Sequence, residues 1–158
     1  VATGDRLPSG KFTTPTAEGP REITTDELFA GKKVVLFAVP GAFTPTCNNT
    51  HFPGFHLAAD KIREHGVDTV ACMAVNDIFV MGAWMKATGV GDSLLMLSDG
   101  NGAYAEALGL THDLSGFGMG KRAARFAAIV DDGVVTYLGV EPGGDVTVSG
   151  ADAVLAEL

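Results

Sequence analysis

Two cysteines in 158 residues are too few for a disulfide framework, and a thiol pair in a chain this size points to a buried or catalytic role in a reducing compartment. Positive charge is scarce as well. Eleven basic residues against nineteen acidic ones give a formal net charge of −8, so the chain has no basic footprint with which to neutralise nucleic-acid phosphates. Long apolar runs are missing: the longest in the first half, residues 34–39, falls far short of a bilayer span. No charged-then-apolar leader opens the chain, and the expected setting is cytoplasmic, with no membrane and no nucleic acid as partner. Repeats and low-complexity tracts are absent. What is there is an apolar content of 46%, enough for the core of one globular domain over residues 1–158.

The stretch with the most chemical content is Pro40-Gly41-Ala42-Phe43-Thr44-Pro45-Thr46-Cys47, which joins that apolar run to a segment with helical signals. Thr44 is expected at the N-cap and Pro45 at the first helical position, where a missing N–H would have had no intrahelical partner. Cys47 then sits in the first turn. Unpaired backbone N–H groups and the positive end of the helix dipole favour thiolate over thiol there. The next residues are Asn48, Asn49 and Thr50, so the Cys-x-x-Cys pattern of dithiol exchange is absent.

In chain order, residues 1–20 are expected to be irregular or a short hairpin, and residues 25–31 predict a short helix. Residues 34–39 read as a strand covered on both faces. The helix running from Cys47 towards His65 is expected to bend or break at Pro53-Gly54. Residues 68–75 complete a strand, helix, strand unit of a length that suits parallel pairing. Asn76 is the expected cap of a helix over 77–88, followed by a strand at 94–98 and a short helix at 103–108. The glycine-rich loop 115–121 matches neither a P-loop nor the dinucleotide spacing and is expected to be structural. Asp131-Asp132-Gly133 marks a hairpin between 125–130 and 134–138, which gives the sheet an antiparallel edge. Ser149 is the expected cap of a last helix over 150–158. These elements are those of an α/β, thioredoxin-like fold: a single domain with a central mixed sheet flanked by helices.

Pro40, Thr44 and Cys47 fit the pattern P-x-x-x-T-x-x-C, in which the chain resembles the peroxiredoxins. With Thr50-His51, Pro53-Gly54-Phe55, Val75-Asn76-Asp77 and Arg125-Phe126-Ala127, it is similar to the peroxiredoxin 5 group from about Gly31 to the end. The resemblance implies a thiol-dependent peroxidase for hydrogen peroxide and alkyl hydroperoxides that uses no metal, haem or other cofactor. It makes Cys47 the thiolate that becomes a sulfenic acid and gives Thr44 a hydroxyl contact to the peroxide. Arg125 then stabilises both the thiolate and the departing oxygen, and Pro40 walls the pocket. The chemistry fits these residue types, because breaking a weak O–O bond needs an in-line nucleophile and donors where negative charge develops. Other readings are a peroxide sensor or relay that passes oxidation to a partner protein, and a non-catalytic binding domain. A metal held by Cys47 and His51 would have two ligands at i and i+4 and no clear third.

Cys72 lies in an apolar strand segment and reads as a buried, inert thiol rather than a resolving cysteine. Residues 146–153 hold no cysteine, although atypical two-cysteine members of the resembled group carry theirs near the C-terminus. A one-cysteine cycle follows, with an external thiol as reductant: glutathione with or without glutaredoxin, or thioredoxin. His51 is expected to help hold the pocket's hydrogen bonds, while His56, His65 and His112 read as ordinary surface or structural histidines. The resemblance also implies a homodimer, with Phe43, Phe79 and Phe117 as contact residues.

Overall fold

The computed structural model covers Val1–Leu158. Two strands, β1 (Lys11–Thr16) and β2 (Gly19–Thr24), form an antiparallel hairpin and lead into helix α1 (Thr25–Phe29). Residues 1–10 before the hairpin are irregular, so the lead-in combines the two expected forms, and β1 also pairs with the sheet through Thr13 and Ser98. Thr24 caps α1 in a reciprocal capping box with Glu27. Next come β3 (Lys33–Val39), a wide π turn at Cys47–His51, α2 (Phe52–Glu64) and β4 (Thr69–Ala74). Helix α3 (Ile78–Thr88), β5 (Leu95–Ser98) and α4 (Ala103–Leu108) follow. A small ribbon of β6 (Thr111–Asp113) and β7 (Lys121–Ala123) encloses the glycine-rich loop, and β8 (Phe126–Asp131), β9 (Val134–Val140) and α5 (Ala151–Ala156) close the chain.

Seven strands form one mixed sheet in the order β2-β1-β5-β4-β3-β8-β9. Its centre, β3 with β4 and β4 with β5, is parallel, and β8 and β9 add the antiparallel edge. Side chains of a strand alternate between faces, so the six apolar residues of β3 feed two cores. Val35, Phe37 and Val39 face α2, α3 and α5, whereas Val34, Leu36 and Ala38 face α1 and α4. This is a thioredoxin-like arrangement of helices on both faces of a mixed sheet. No helix is long and apolar enough to cross a membrane.

Three sequence expectations need correction. Pro53 does not break its helix; it sits in the first turn of α2, where a missing N–H costs least. The irregularity lies one turn earlier, where Phe52 N–H donates to the Cys47 carbonyl, five residues back. Asn76 is not the cap of α3, because Asp77 accepts from Val80 N–H instead. Ser149 does not cap α5, whose N-cap is Gly150 with no side-chain bond.

Helix α2 buries Phe52, Phe55, Ala59 and Ile62 along one stripe, and Phe55 stacks on Phe37 of β3 with ring centroids 4.1 Å apart. Phe55→Ala is expected to lower the unfolding free energy by about 3–5 kcal/mol through lost burial and a residual cavity. Urea unfolding measures it, and a loss below about 1 kcal/mol would contradict this packing.

Candidate active site

The sheet brings four chain segments to one edge. Strands β3 and β8 are antiparallel with Ala38 opposite Phe126, so Pro40 leaves β3 where Arg125 enters β8. Strand β4 runs parallel to β3 and delivers Val75-Asn76 to the same edge. Phe126 faces Val140 across β8 and β9, which sets Glu141 beside Arg125; Glu141 N–H donates to the Arg125 carbonyl at 3.0 Å. Sites in open α/β sheets gather outside the carboxyl ends of the parallel strands, and this one does so.

The loop from Pro40 to Thr44 is held from several sides. Ala42 N–H donates to Asn76 Oδ1 at 2.9 Å, the role Asn76 takes in place of capping. Arg122 donates to the carbonyls of Met119 at 2.8 Å and Val75 at 3.1 Å, fastening the glycine-rich loop to the end of β4. Gly41 is closely packed: a Cβ there would lie 2.9 Å from Met119 Cε and 3.0 Å from Thr44 Cγ2, so both side chains would have to shift. Phe43 adopts φ 64°, a strained value for an aromatic residue that surrounding contacts must enforce. Thr44 stands at the expected helix start, its carbonyl accepting from Asn48 N–H at 2.8 Å. Its hydroxyl makes no cap, however, and donates to the Gly41 carbonyl at 2.6 Å. That orientation leaves the oxygen lone pairs of Thr44 to accept a hydrogen bond from a ligand.

Cys47 and Arg125, 78 residues apart in sequence, meet here. Arg125 Nη2 donates to Cys47 Sγ at 3.2 Å, with Cys47 1% and Arg125 6% exposed. Arg125 Nη1 donates to His51 Nδ1 at 2.9 Å. A guanidinium only donates, so Nδ1 carries the lone pair and the His51 proton sits on Nε2, which donates to the Ser149 carbonyl at 2.7 Å. His51 lies between Phe37 and Phe55, with ring centroids at 5.1 and 5.5 Å. Burial pushes it down to about 4; the Ser149 carbonyl opposes this, Arg125 adds to it and Glu141 opposes it. Both His51 nitrogens are engaged, so the pair Cys47 and His51 has no free imidazole lone pair for a metal. Arg125 Nε is the one buried side-chain nitrogen or oxygen without a partner.

Pro40 and Arg125 line a cleft of about 290 Å³ together with Leu114, Phe117 and Glu141. A larger cleft of about 520 Å³ lies elsewhere, against Thr14, Arg63, Asp68 and Met96; Cys47 lines neither cleft. Cys72 is fully buried in β4, and burial, with Cys47 nearby, pushes its thiol well above the ordinary value. It is a protonated core residue. Sequence reasoning missed Glu141, the Ser149 carbonyl and Arg122. A carboxylate directly after a strand and before Pro142-Gly143-Gly144 is a weak signal for the first, and a backbone carbonyl leaves none.

A thioredoxin-like fold with a buried guanidinium on a cysteine in the first turn of a helix defines a thiol-based redox protein. The family model described as Redoxin matches residues 2–155, and the chain belongs to this family as a peroxiredoxin. It is 45% identical to Peroxiredoxin-2E, chloroplastic, of Arabidopsis thaliana over 100% of this chain and 69% of that protein. It is 46% identical to Peroxiredoxin-2C of Oryza sativa subsp. japonica, covering 100% of this chain and 98% of that protein. Among solved structures, reduced Prx3 from Vibrio vulnificus in complex with H2O2 superposes with a TM-score of 0.94 at 49% identity, over 99% of this chain and 98% of that one.

The depressed His51 value has a pH consequence. Between the ordinary 6.5 and about 4 the unfolded chain binds a proton that the folded site excludes. The stability contributed by neutral His51 is therefore present above pH 6.5 and lost as pH falls through 4, by roughly 3 kcal/mol at the lower end. Urea unfolding at pH 7 and pH 4 is expected to show a smaller loss in His51→Gln than in the native protein. Equal losses in the two proteins would rule out a neutral buried His51.

Proposed function

We propose that this peroxiredoxin, a thiol peroxidase by family, reduces hydrogen peroxide and alkyl hydroperoxides through Cys47 and is regenerated by an external thiol. The observation that carries this reading is the charge-assisted donation from buried Arg125 Nη2 to Cys47 Sγ at 3.2 Å. The related Vibrio protein described in complex with H2O2 supports the substrate class. In the first step the Cys47 thiolate attacks one peroxide oxygen and the O–O bond breaks. The sulfur is oxidised to a sulfenic acid, and the leaving oxygen takes a proton to become water or an alcohol. The Thr44 hydroxyl accepts a hydrogen bond from the peroxide O–H, whose proton stays on the sulfenic acid, and the unpartnered Arg125 Nε–H and its neighbouring N–H groups meet the oxygen on which charge develops. Pro40 walls the approach.

In the second step a reductant thiolate attacks the sulfenic sulfur, releasing water and leaving a mixed disulfide; a second thiol then frees Cys47 and departs as the disulfide. Burial of Cys72 leaves the chain no accessible resolving thiol, which favours glutathione, with or without glutaredoxin, over an internal disulfide. Thioredoxin is the other candidate reductant. The protein acts as a homodimer through exposed Phe43, Phe79 and Phe117, and Phe117 also borders the cleft.

Stopped-flow oxidation of prereduced protein by hydrogen peroxide, followed through buried Trp84, tests the first step. Cys47→Ser is expected to abolish the reaction, Cys72→Ser to leave it intact, and Arg125→Ala to slow it about 10²–10³-fold. A reaction that survives Cys47→Ser would sink the assignment, and failure to turn over with small thiols would favour the sensor or relay reading. Sedimentation at micromolar concentration is expected to give twice the 16.3 kDa chain mass, and a monomer mass would reject the dimer.

A further inference from the structure

Beyond the residues in contact with Cys47 lies a compact polar knot after β9. The Glu141 carboxylate accepts four hydrogen bonds: from Thr147 N–H at 2.7 Å, Thr147 Oγ1 at 2.6 Å, Ser149 N–H at 2.8 Å and Ser149 Oγ at 2.6 Å. Burial opposes its ionisation, but the Ser149 and Thr147 hydroxyl and backbone donors hold it down to about 2, so it stays a carboxylate. The knot is braced independently. Tyr137 Oη donates to the Val148 carbonyl at 2.5 Å, and a Cβ on Gly139 would collide with that same carbonyl. These ties converge on Ser149, whose carbonyl is the acceptor for His51 Nε2–H and which is itself fully buried.

We propose that Glu141 is a positioning residue for Cys47: its carboxylate clamps Ser149, the Ser149 carbonyl fixes the His51 proton on Nε2, and the resulting Nδ1 lone pair holds Arg125 so that Nη2 points at the sulfur. Every link is a direct hydrogen bond, and none has a second acceptor among its partners. If the carbonyl drifts, His51 loses its reason to keep the proton on Nε2. The other tautomer places N–H against N–H at Arg125 Nη1, and the guanidinium must turn away from Cys47. Glu141 also fixes Arg125 from the backbone side, through its own N–H on the Arg125 carbonyl. The inference rests on the assignment of Cys47 as the peroxide-reactive thiol.

The test combines peroxide kinetics with ¹⁵N spectra of the His51 imidazole in prereduced protein. The native protein is expected to show a single Nε2–H tautomer. Glu141→Ala is expected to populate the second tautomer and slow the reaction with hydrogen peroxide about tenfold, and Glu141→Gln, which keeps one carbonyl acceptor, to recover part of the rate. In a His51→Gln background, Glu141→Ala is expected to change the rate less than about twofold, because the link it acts through is already gone. A structural role alone would multiply the two defects and leave the tautomer unchanged, and that result overturns the proposal. Should Glu141→Ala not fold, Glu141→Gln carries the same comparison, with an unmoved tautomer and native rate counting against it. Cys47→Ser measured alongside separates the two failures: reactivity surviving that change defeats the Cys47 assignment, whereas reactivity lost there but untouched at Glu141 defeats only the clamp.

Discussion

A guanidinium buried to 6% exposure is the constraint on which the rest of this site depends. Removing such a charge from water costs several kcal/mol, and the cost is offset only where its donors find good partners. Arg125 has two, the Cys47 sulfur and His51 Nδ1. Its Nη2 donates to the sulfur, so the partner that satisfies the buried charge also fixes the direction of the nucleophile. The same burial forbids His51 from taking a second proton, because an imidazolium would face the guanidinium in a wall of aromatic rings.

What keeps these groups in register is the sheet. Arg125, Pro40, Asn76 and Glu141 come from distant parts of the chain, yet each lies within a residue or two of a strand end at one edge. The strands are packed on both faces and cannot shift singly without disturbing two cores. The π turn and the positive φ of Phe43 are departures from regular geometry within the same few residues. Strain of this kind persists where surrounding contacts over-determine it, and here Asn76, Gly41 and the aromatic contact of Phe43 with Trp84 supply those contacts. Preorganised donors of this sort need no rearrangement when charge develops on a departing oxygen, which suits the peroxidase activity of the family.

Much of this was legible from local pattern. The unbroken apolar run of β3 and the Asp-Asp-Gly turn between β8 and β9 each depend on neighbours in sequence, and each element formed within a residue or two of its expected bounds. The errors have one cause. Asn76, Ser149 and Thr44 have the local sequence signature of helix caps, whose side chains commonly serve the nearest unpaired N–H groups. Their polar atoms instead bond elsewhere: Asn76 to Ala42, Ser149 to Glu141 and His51, and Thr44 to Gly41. The bend or interruption expected at Pro53-Gly54 rests on the local rule for proline, whereas the irregularity is the π turn just before it.

The sequence by itself determined the alternation of strands and helices, the exclusion of a disulfide framework, and a cysteine in the first turn of a helix, because these follow from composition and from contacts a few residues apart. It also carried the family resemblance that named Thr44, Pro40 and Arg125. Only the tertiary structure decided that His51 is neutral and protonated on Nε2, that Cys72 is sealed in the core, and that Glu141 stands behind the site through a backbone carbonyl. The tautomer depends on partners 74 and 98 positions away, Arg125 and Ser149, which meet His51 only once the sheet has formed.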